Sequence, residues 1–414
     1  MLAWAYFPLV FALLTLAAPS RPWQRRGFLA GSWVAAVLVL VAATRTLMTG
    51  ASVQFTPPPL AILTGFNFVL DPLRAFFLEI AGAVYGLCAA YVARDSARYP
   101  PARSRLILGF TTLLFAAMIT VLFAAGVTSL IFAWEVMSLA LVALVFLGGD
   151  SARATRAGFL TLALSEAGAL AALAGLLILA AAAGTTSLAG IGAAAALLPS
   201  GIAWAGFLLT FFGFGVKTGI LPVNIWMSEG YAAAPRGLLP IFSGATLNLG
   251  VFTMWTIDGP LAIHVPNIAL VILIVGALTA ILGIIYALAT HSLTRLLTQS
   301  SIENLGIVVA ALGAGWTFSA LGHPVLAGLL LVAGLYHMLN HSAYKTLLFL
   351  GAGGIGETVG DDLNRLGGLM RRVPVFGTLF LLGTFAIAAL PPFNGFVSEW
   401  LVLESLLRVV ELGP

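Results

Sequence analysis

Only two lysines, Lys217 and Lys345, stand against seventeen arginines in this sequence. Both lysines fall inside long apolar stretches, while arginine carries the positive charge of the polar connections. Burial can neutralise a lysine, so it can take up and release a proton, whereas arginine stays charged. Lysine used only in apolar surroundings therefore suits a proton relay. The bland alternative is a pair of snorkelling or structurally paired lysines. Snorkelling works best near segment ends, and Lys217 has apolar sequence on both sides.

Other ionisable residues sit in equally apolar company. Glu135 lies in Phe-Ala-Trp-Glu-Val-Met-Ser and Glu166 in Leu-Ser-Glu-Ala-Gly. A charge at bilayer depth costs about 2.5–3.5 kcal/mol on insertion scales, so each needs a partner, water or a proton of its own. A neutral, hydrogen-bonded glutamic acid is the alternative for both. His337, His341 and Lys345 recur at a spacing of four, which on a helix stacks them along one stripe at about 6 Å per step. That is the geometry of a proton wire. Haem or metal ligation by the histidines is disfavoured, because His264, His291 and His323 all fall in or near loops.

The elements that hold these groups must be membrane helices. Apolar residues make up 61% of 414 positions and charged residues only 8%, too few to cover a water-facing surface. Windows of about 20 apolar residues, the length that spans a bilayer, mark the candidate spans. Twelve such windows lie near 1–18, 28–49, 74–93, 105–124, 127–148, 157–184, 200–227, 237–257, 267–289, 300–316, 325–352 and 374–410. The fourth and fifth almost abut and imply a tight turn. The fold class predicted is an all-α polytopic membrane protein. The first window resembles a signal peptide, but its arginines follow it rather than precede it, which fits an uncleaved helix. With the N-terminus outside, Arg21, Arg25, Arg26, Arg94, Arg98, Arg103, Arg105, Arg153, Arg156, Arg236, Arg295, Arg365, Arg371 and Arg372 all fall on inside connections. Outside segments hold little more than Arg45 and Arg74, both near helix ends, so the distribution obeys the positive-inside rule.

Two windows carry prolines beside ionisable residues. The seventh has Lys217 and Pro222, and the twelfth has Pro391, Pro392 and then Glu399. Proline removes a helical donor, and an opened backbone at membrane depth is tolerated only where it lines a cavity or is covered by protein. Broken helices in both halves suggest an internal repeat with paired ion sites. Arg295, with His291 and Glu303, reads as closing an entrance near an inside loop. The single Cys88 excludes an intrachain disulfide, and a dispersed net charge of +4 does not suggest nucleic acid. Gly351-Ala-Gly353-Gly-Ile-Gly356 matches a dinucleotide fingerprint only in letters, since no strand precedes it. Asp71-Pro72 reads as a helix N-cap.

Taken together, these motifs resemble a known family. Gly215-Val-Lys217-Thr-Gly-Ile-Leu-Pro222-Val-Asn-Ile-Trp226, followed by Ala-Pro235-Arg-Gly and Ser243-Gly, is similar to the central signature of antiporter-like proton-conducting subunits. These belong to complex I, Mrp-type antiporters and membrane-bound hydrogenases. Trp134-Glu135-Val-Met-Ser138, the His337–Phe349 run and Pro391-Pro392-x-Asn394-Gly395-Phe-x-Ser-Glu399 extend the resemblance. Ser300-Ser301-Ile-Glu303-Asn304-Leu-Gly306 and Leu350-Gly-Ala-Gly look most like the large membrane subunit of formate hydrogenlyase and hydrogenase-4.

The resemblance implies inverted five-helix repeats with helices seven and twelve broken. Its divisions would be 1–104, 105–260 and an incomplete 261–414. Glu135 and Lys217 would form the ion pair of one half-channel, His337, His341 and Lys345 the connecting axis, and Glu399 the terminal site. Asn248 stands where many relatives carry lysine, and asparagine can hydrogen-bond water but carries no proton charge. The family core normally has two helices more, so this chain is expected to be a truncated form or one completed by another subunit. The expected function is proton translocation in a respiratory or hydrogenase-type oxidoreductase complex of the inner cell membrane. Its expected partners are other membrane subunits and a peripheral redox arm, and it would bind no redox cofactor itself. An antiporter exchanging Na+ or K+ for protons and a non-conducting scaffold are the rival readings.

Overall fold

Long apolar runs punctuated by glycine, proline and arginine fold as helices wherever the backbone must satisfy itself within lipid. The computed structural model describes residues 2–56, 65–149 and 151–408. Its helices are α1 (Tyr6–Thr15), α2 (Arg21–Thr49), α3 (Pro72–Ser96), α4 (Pro101–Phe123), α5 (Val127–Phe146) and α6 (Ala152–Ala183). They continue as α7 (Leu188–Ala194), α8 (Ser200–Thr218), α9 (Ile225–Ala233), α10 (Arg236–His264), α11 (Pro266–Leu288) and α12 (Leu293–Ala320). The last four are α13 (Pro324–Thr358), α14 (Leu369–Arg372), α15 (Pro374–Ile387) and α16 (Asn394–Leu407).

Among the described residues, ten helices are long and apolar enough to cross a membrane: α2 to α6, α8, and α10 to α13. The chain is a multi-pass membrane protein. Of the twelve predicted windows, the first is the 10-residue α1, and the seventh and twelfth are each two shorter helices around a break. Position 1 of the first window and positions 409–410 of the twelfth lie outside the described residues. The fourth and fifth windows are joined by residues 124–126, the tight turn expected. The tenth begins at Leu293, two turns earlier than the window at 300. Apolar patterning did not reveal α7 or a small antiparallel ribbon that pairs Val53–Phe55 with Phe68–Leu70.

Helix ends follow local chemistry. Asp71 caps α3 by accepting from the Arg74 backbone amide at 2.9 Å, with Pro72 in the first turn, as the sequence predicts. Close packing follows from small residues. Gly276 and Gly283 on α11, with Gly306 and Gly313 on α12, recur every seven positions. A side chain at any of the four would start 2.3–2.5 Å from backbone of the facing helix. Glycine is therefore what lets this pair approach. The outer face of α11 shows Leu270, Ile274, Leu278, Ile281 and Ile285 at helical spacing, a lipid-facing stripe. In contrast residues 237–254 of α10 are all buried, and α10 packs against α3, α8, α12 and α13. The functional side chains surround it.

Candidate functional site

The first break determines where Lys217 sits. Gly219 adopts φ +79, a left-handed conformation that glycine takes without strain, and ends α8 there. The chain turns through Ile220, Leu221, Pro222 and Val223 before α9 begins. Leu221 donates its backbone amide to the Thr279 hydroxyl of α11 at 3.1 Å, and the Trp226 indole donates to the Val216 carbonyl at 2.8 Å. Both contacts hold the break closed against protein. Lys217 thus occupies the last turn of a half-helix, whose negative dipole end favours a cation.

Lys217 is 1% exposed, and among the described residues its ammonium has no hydrogen-bond partner. It lies over the Trp226 ring, 5.6 Å from the centroid. Glu135 on α5 and Glu166 on α6 are partly buried, and the three charges act on one another. Among the described residues Lys217 and Glu135 are not in ion-pair contact within 4.0 Å. The direct pair that the resemblance implies is replaced by a looser arrangement of two carboxylates and one ammonium. Ser138, Ser165 and Glu166 Oε1 are also buried without partners in this region.

The second cluster is built on α13. His337, His341 and Lys345 are all fully buried, as the spacing of four predicts. His337 Nδ1 lies 2.9 Å from the Ser398 hydroxyl of α16, while among the described residues its Nε2 and both nitrogens of His341 have no partner. Lys345 donates to the Leu297 carbonyl at 2.8 Å and to the Ser300 hydroxyl, both on α12. The charges of Lys345 and Glu303 act on each other, and Glu303 in turn acts on Glu399. Tyr344 donates its hydroxyl to Asn304 on the same α12 face.

The reading of Glu303 as part of an entrance with Arg295 and His291 is corrected here. Arg295 forms an ion pair with Glu229 of α9, which also meets Arg153 at 3.4 Å. Glu303 lies eight residues further along α12, about 12 Å at helical rise, beside Lys345. The motif Ser300-Ser301-Ile-Glu303-Asn304 carried the signal, since positions 300, 303 and 304 share one helical face.

Proline shapes the second break as it does the first. Pro391 and Pro392 lie in the turn between α15 and α16, and the Asn340 and Asn394 side-chain amides bond to each other at 2.9 Å across it. Asn340 also donates to the Asn394 carbonyl at 3.1 Å. Glu399 follows the break in the second turn of α16. Asn248 on α10 lies beside the second cluster. Its amide donates to the Gly244 carbonyl at 3.0 Å and to the Ser342 hydroxyl at 2.8 Å, next to His341, and its own carbonyl oxygen has no partner.

A cavity of about 310 Å³ opens at the arginine-rich end, lined in part by Asp95, Arg98, Tyr99, Tyr231, Arg236 and Asp361. None of the buried lysines or histidines lines it. Burial, reinforced by the Asp95 charge, pushes the Tyr99 phenol up to about 12, so it remains a neutral donor there.

Comparison with known proteins identifies relatives of this chain. Residues 124–412 match the family model described as NADH:quinone oxidoreductase/Mrp antiporter, TM. Hydrogenase-4 component B of Escherichia coli (strain K12) is 31% identical over 371 residues, covering 86% of this chain and 53% of the relative. Formate hydrogenlyase subunit 3 of the same strain is 40% identical over 211 residues, covering 50% of this chain and 34% of the relative. The chain thus spans about half or less of the length of these curated relatives. A solved Mrp complex from Dietzia sp. DQ12-45-1b superposes with a TM-score of 0.85, covering 99% of this chain and 74% of the matched one. At 22% identity that match speaks for the fold alone. With most of its length, both breaks and the buried charges within the matched region, the chain belongs to the NADH:quinone oxidoreductase/Mrp antiporter transmembrane family.

Proposed function

We propose that this chain is a proton-translocating membrane subunit of a respiratory or hydrogenase-type oxidoreductase complex. Protons move between the Glu135–Glu166–Lys217 group and the Lys345–Glu303–Glu399 group by way of His337, His341 and the amide of Asn248. One observation carries the reading: the buried polar atoms without protein partners concentrate along this line. Ser138, Ser165, Glu166, Lys217, Asn248 and His337 contribute one each and His341 two, eight of the thirteen such atoms among the described residues. An unsatisfied buried polar group costs about 1–3 kcal/mol, and water bridging these groups removes that cost. Such water is also the medium through which protons pass between titratable side chains.

The partners proposed are other membrane subunits and a redox arm, whose electron transfer alters pairing and hydration at Lys217. The division at 105–260 and 261–414 places one broken helix in each half, consistent with a repeat. The chain lies in the inner cell membrane with its N-terminus outside, as the arginine distribution supports. The test is proton flux in vesicles containing the purified complex. Lys217→Ala is expected to abolish redox-driven flux, and normal conductance and coupling in that variant refute the proposal. The same vesicles, given a Na+ or K+ gradient and no redox donor, separate this reading from cation/proton exchange. Cation-dependent pH changes there favour the antiporter.

A further inference from the structure

We propose that Asp258, held by Thr210, is the proton-exchange site that connects the Lys217 group to the arginine-poor end of the bundle. Asp258 is fully buried on α10, at the end of the widened turn Met254–Asp258. Single widened turns of this kind are frequent at functional sites. Among the described residues Asp258 has no ion pair, and its Oδ2 has no partner. Its Oδ1 lies 2.6 Å from the Thr210 hydroxyl of α8.

The hydrogen-bond inventory around Thr210 defines the chemistry. Its hydroxyl has one proton but three oxygens within reach: Asp258 Oδ1, the Gly206 carbonyl at 2.9 Å and the Phe207 carbonyl at 3.2 Å. With a proton on Oδ1, the carboxyl donates to Thr210, which donates onward to Gly206. Without that proton, the hydroxyl must leave its backbone acceptors for the carboxylate. Thr210 therefore serves both forms of Asp258 by turning its hydroxyl proton alone.

The placement defines the role. Thr210, Phe214 and Lys217 lie at i, i+4 and i+7 on α8 and share a face, so Thr210 is about 10 Å from Lys217 along the helix. Phe214 stands between them, fully buried and packed edge-on against Trp134 at 4.9 Å. Beyond Asp258, Gly192 of α7 lies against Pro260, and the connection 184–199 contains no charged residue. The step is a single proton transfer. An N–H bond of the Lys217 ammonium breaks, water carries the proton past the Phe214–Trp134 pair, and an O–H bond forms on Asp258. The same proton later leaves Asp258 for bulk water.

This inference rests on the function proposed above, so Lys217→Ala is its reference. In vesicles containing the whole complex, Asp258→Asn, which keeps shape and hydrogen bonding, is expected to cut flux about tenfold or more. Asp258→Glu is expected to recover it. Wild-type flux in Asp258→Asn while Lys217→Ala blocks flux overturns the Asp258 assignment and leaves the function standing. Wild-type flux in Lys217→Ala overturns both. Infrared spectra provide an independent readout. A carboxylic-acid C=O band absent from Asp258→Asn and shifted in Thr210→Val is expected, and an unshifted band in Thr210→Val overturns the assignment even where Asp258→Asn fails to assemble.

Discussion

Lys217 and Lys345 are both buried, yet their surroundings differ. Lys345 has a carbonyl and a hydroxyl as acceptors and the Glu303 charge nearby. Lys217 has only an aromatic face and the more distant fields of two glutamates. Of the two, Lys217 has the fewer acceptors around its ammonium. The Glu303 charge acts on Lys345. Glu303→Gln keeps the side-chain shape and removes the charge, and is expected to lower proton flux about 100-fold in reconstituted vesicles. Flux equal to wild type would remove Glu303 from the path. The sequence placed Glu303 wrongly because helix boundaries are its least legible feature. A span beginning near 300 puts position 303 at a membrane edge. The observed start at Leu293 puts it almost three turns in.

At the scale of the element, the two broken helices carry the design, and their breaks are held by side chains distant in sequence. Gly219 has φ +79 and Gly184 φ +66, so any other residue at either position suffers about 1–2 kcal/mol of backbone strain. Their surroundings separate them. A Cβ at Gly184 would meet nothing within 4 Å, whereas one at Gly219 would lie 2.1 Å from the Met227 sulfur. Gly184→Ala is therefore expected to cost about 1–2 kcal/mol in unfolding free energy. Gly219→Ala is expected to cost at least about 1 kcal/mol more, since overpacking adds to strain. Denaturant unfolding of the two purified variants measures the difference, and equal costs would mean that Met227 yields freely. Proline placed both breaks correctly in the sequence. It could not indicate that Thr279, Trp226 and the Asn340–Asn394 pair would hold them.

For the whole molecule, α10 at the centre and α11 facing lipid define an inside and an outside of the bundle, and arginine defines its two ends. Thr186 follows α6 in an arginine-free connection, and Gly367 lies in the loop beside Arg365, Arg371 and Arg372. Both are exposed. Cys88, the lone cysteine, is buried and remains silent to a polar thiol reagent. Thr186→Cys is expected to be labelled from outside intact cells, and Gly367→Cys only in inverted vesicles. Labelling of both from one side would refute the orientation.

Composition alone determined that the chain lives in lipid, because so few charges cannot cover a water-facing surface. Helical period alone determined that His337, His341 and Lys345 share a face, and proline alone marked where two helices break. These are local properties, set by side-chain chemistry and the geometry of one helix. Partnership is not local. That Lys217 meets Trp226 rather than pairing directly with Glu135 was decided only by packing. Packing also made Glu303 the companion of Lys345, and brought Asn248 to Ser342 and Asp258 to Thr210. Each depends on how neighbouring helices rotate and slide against one another, and the small residues that let them approach leave no mark of which faces will meet.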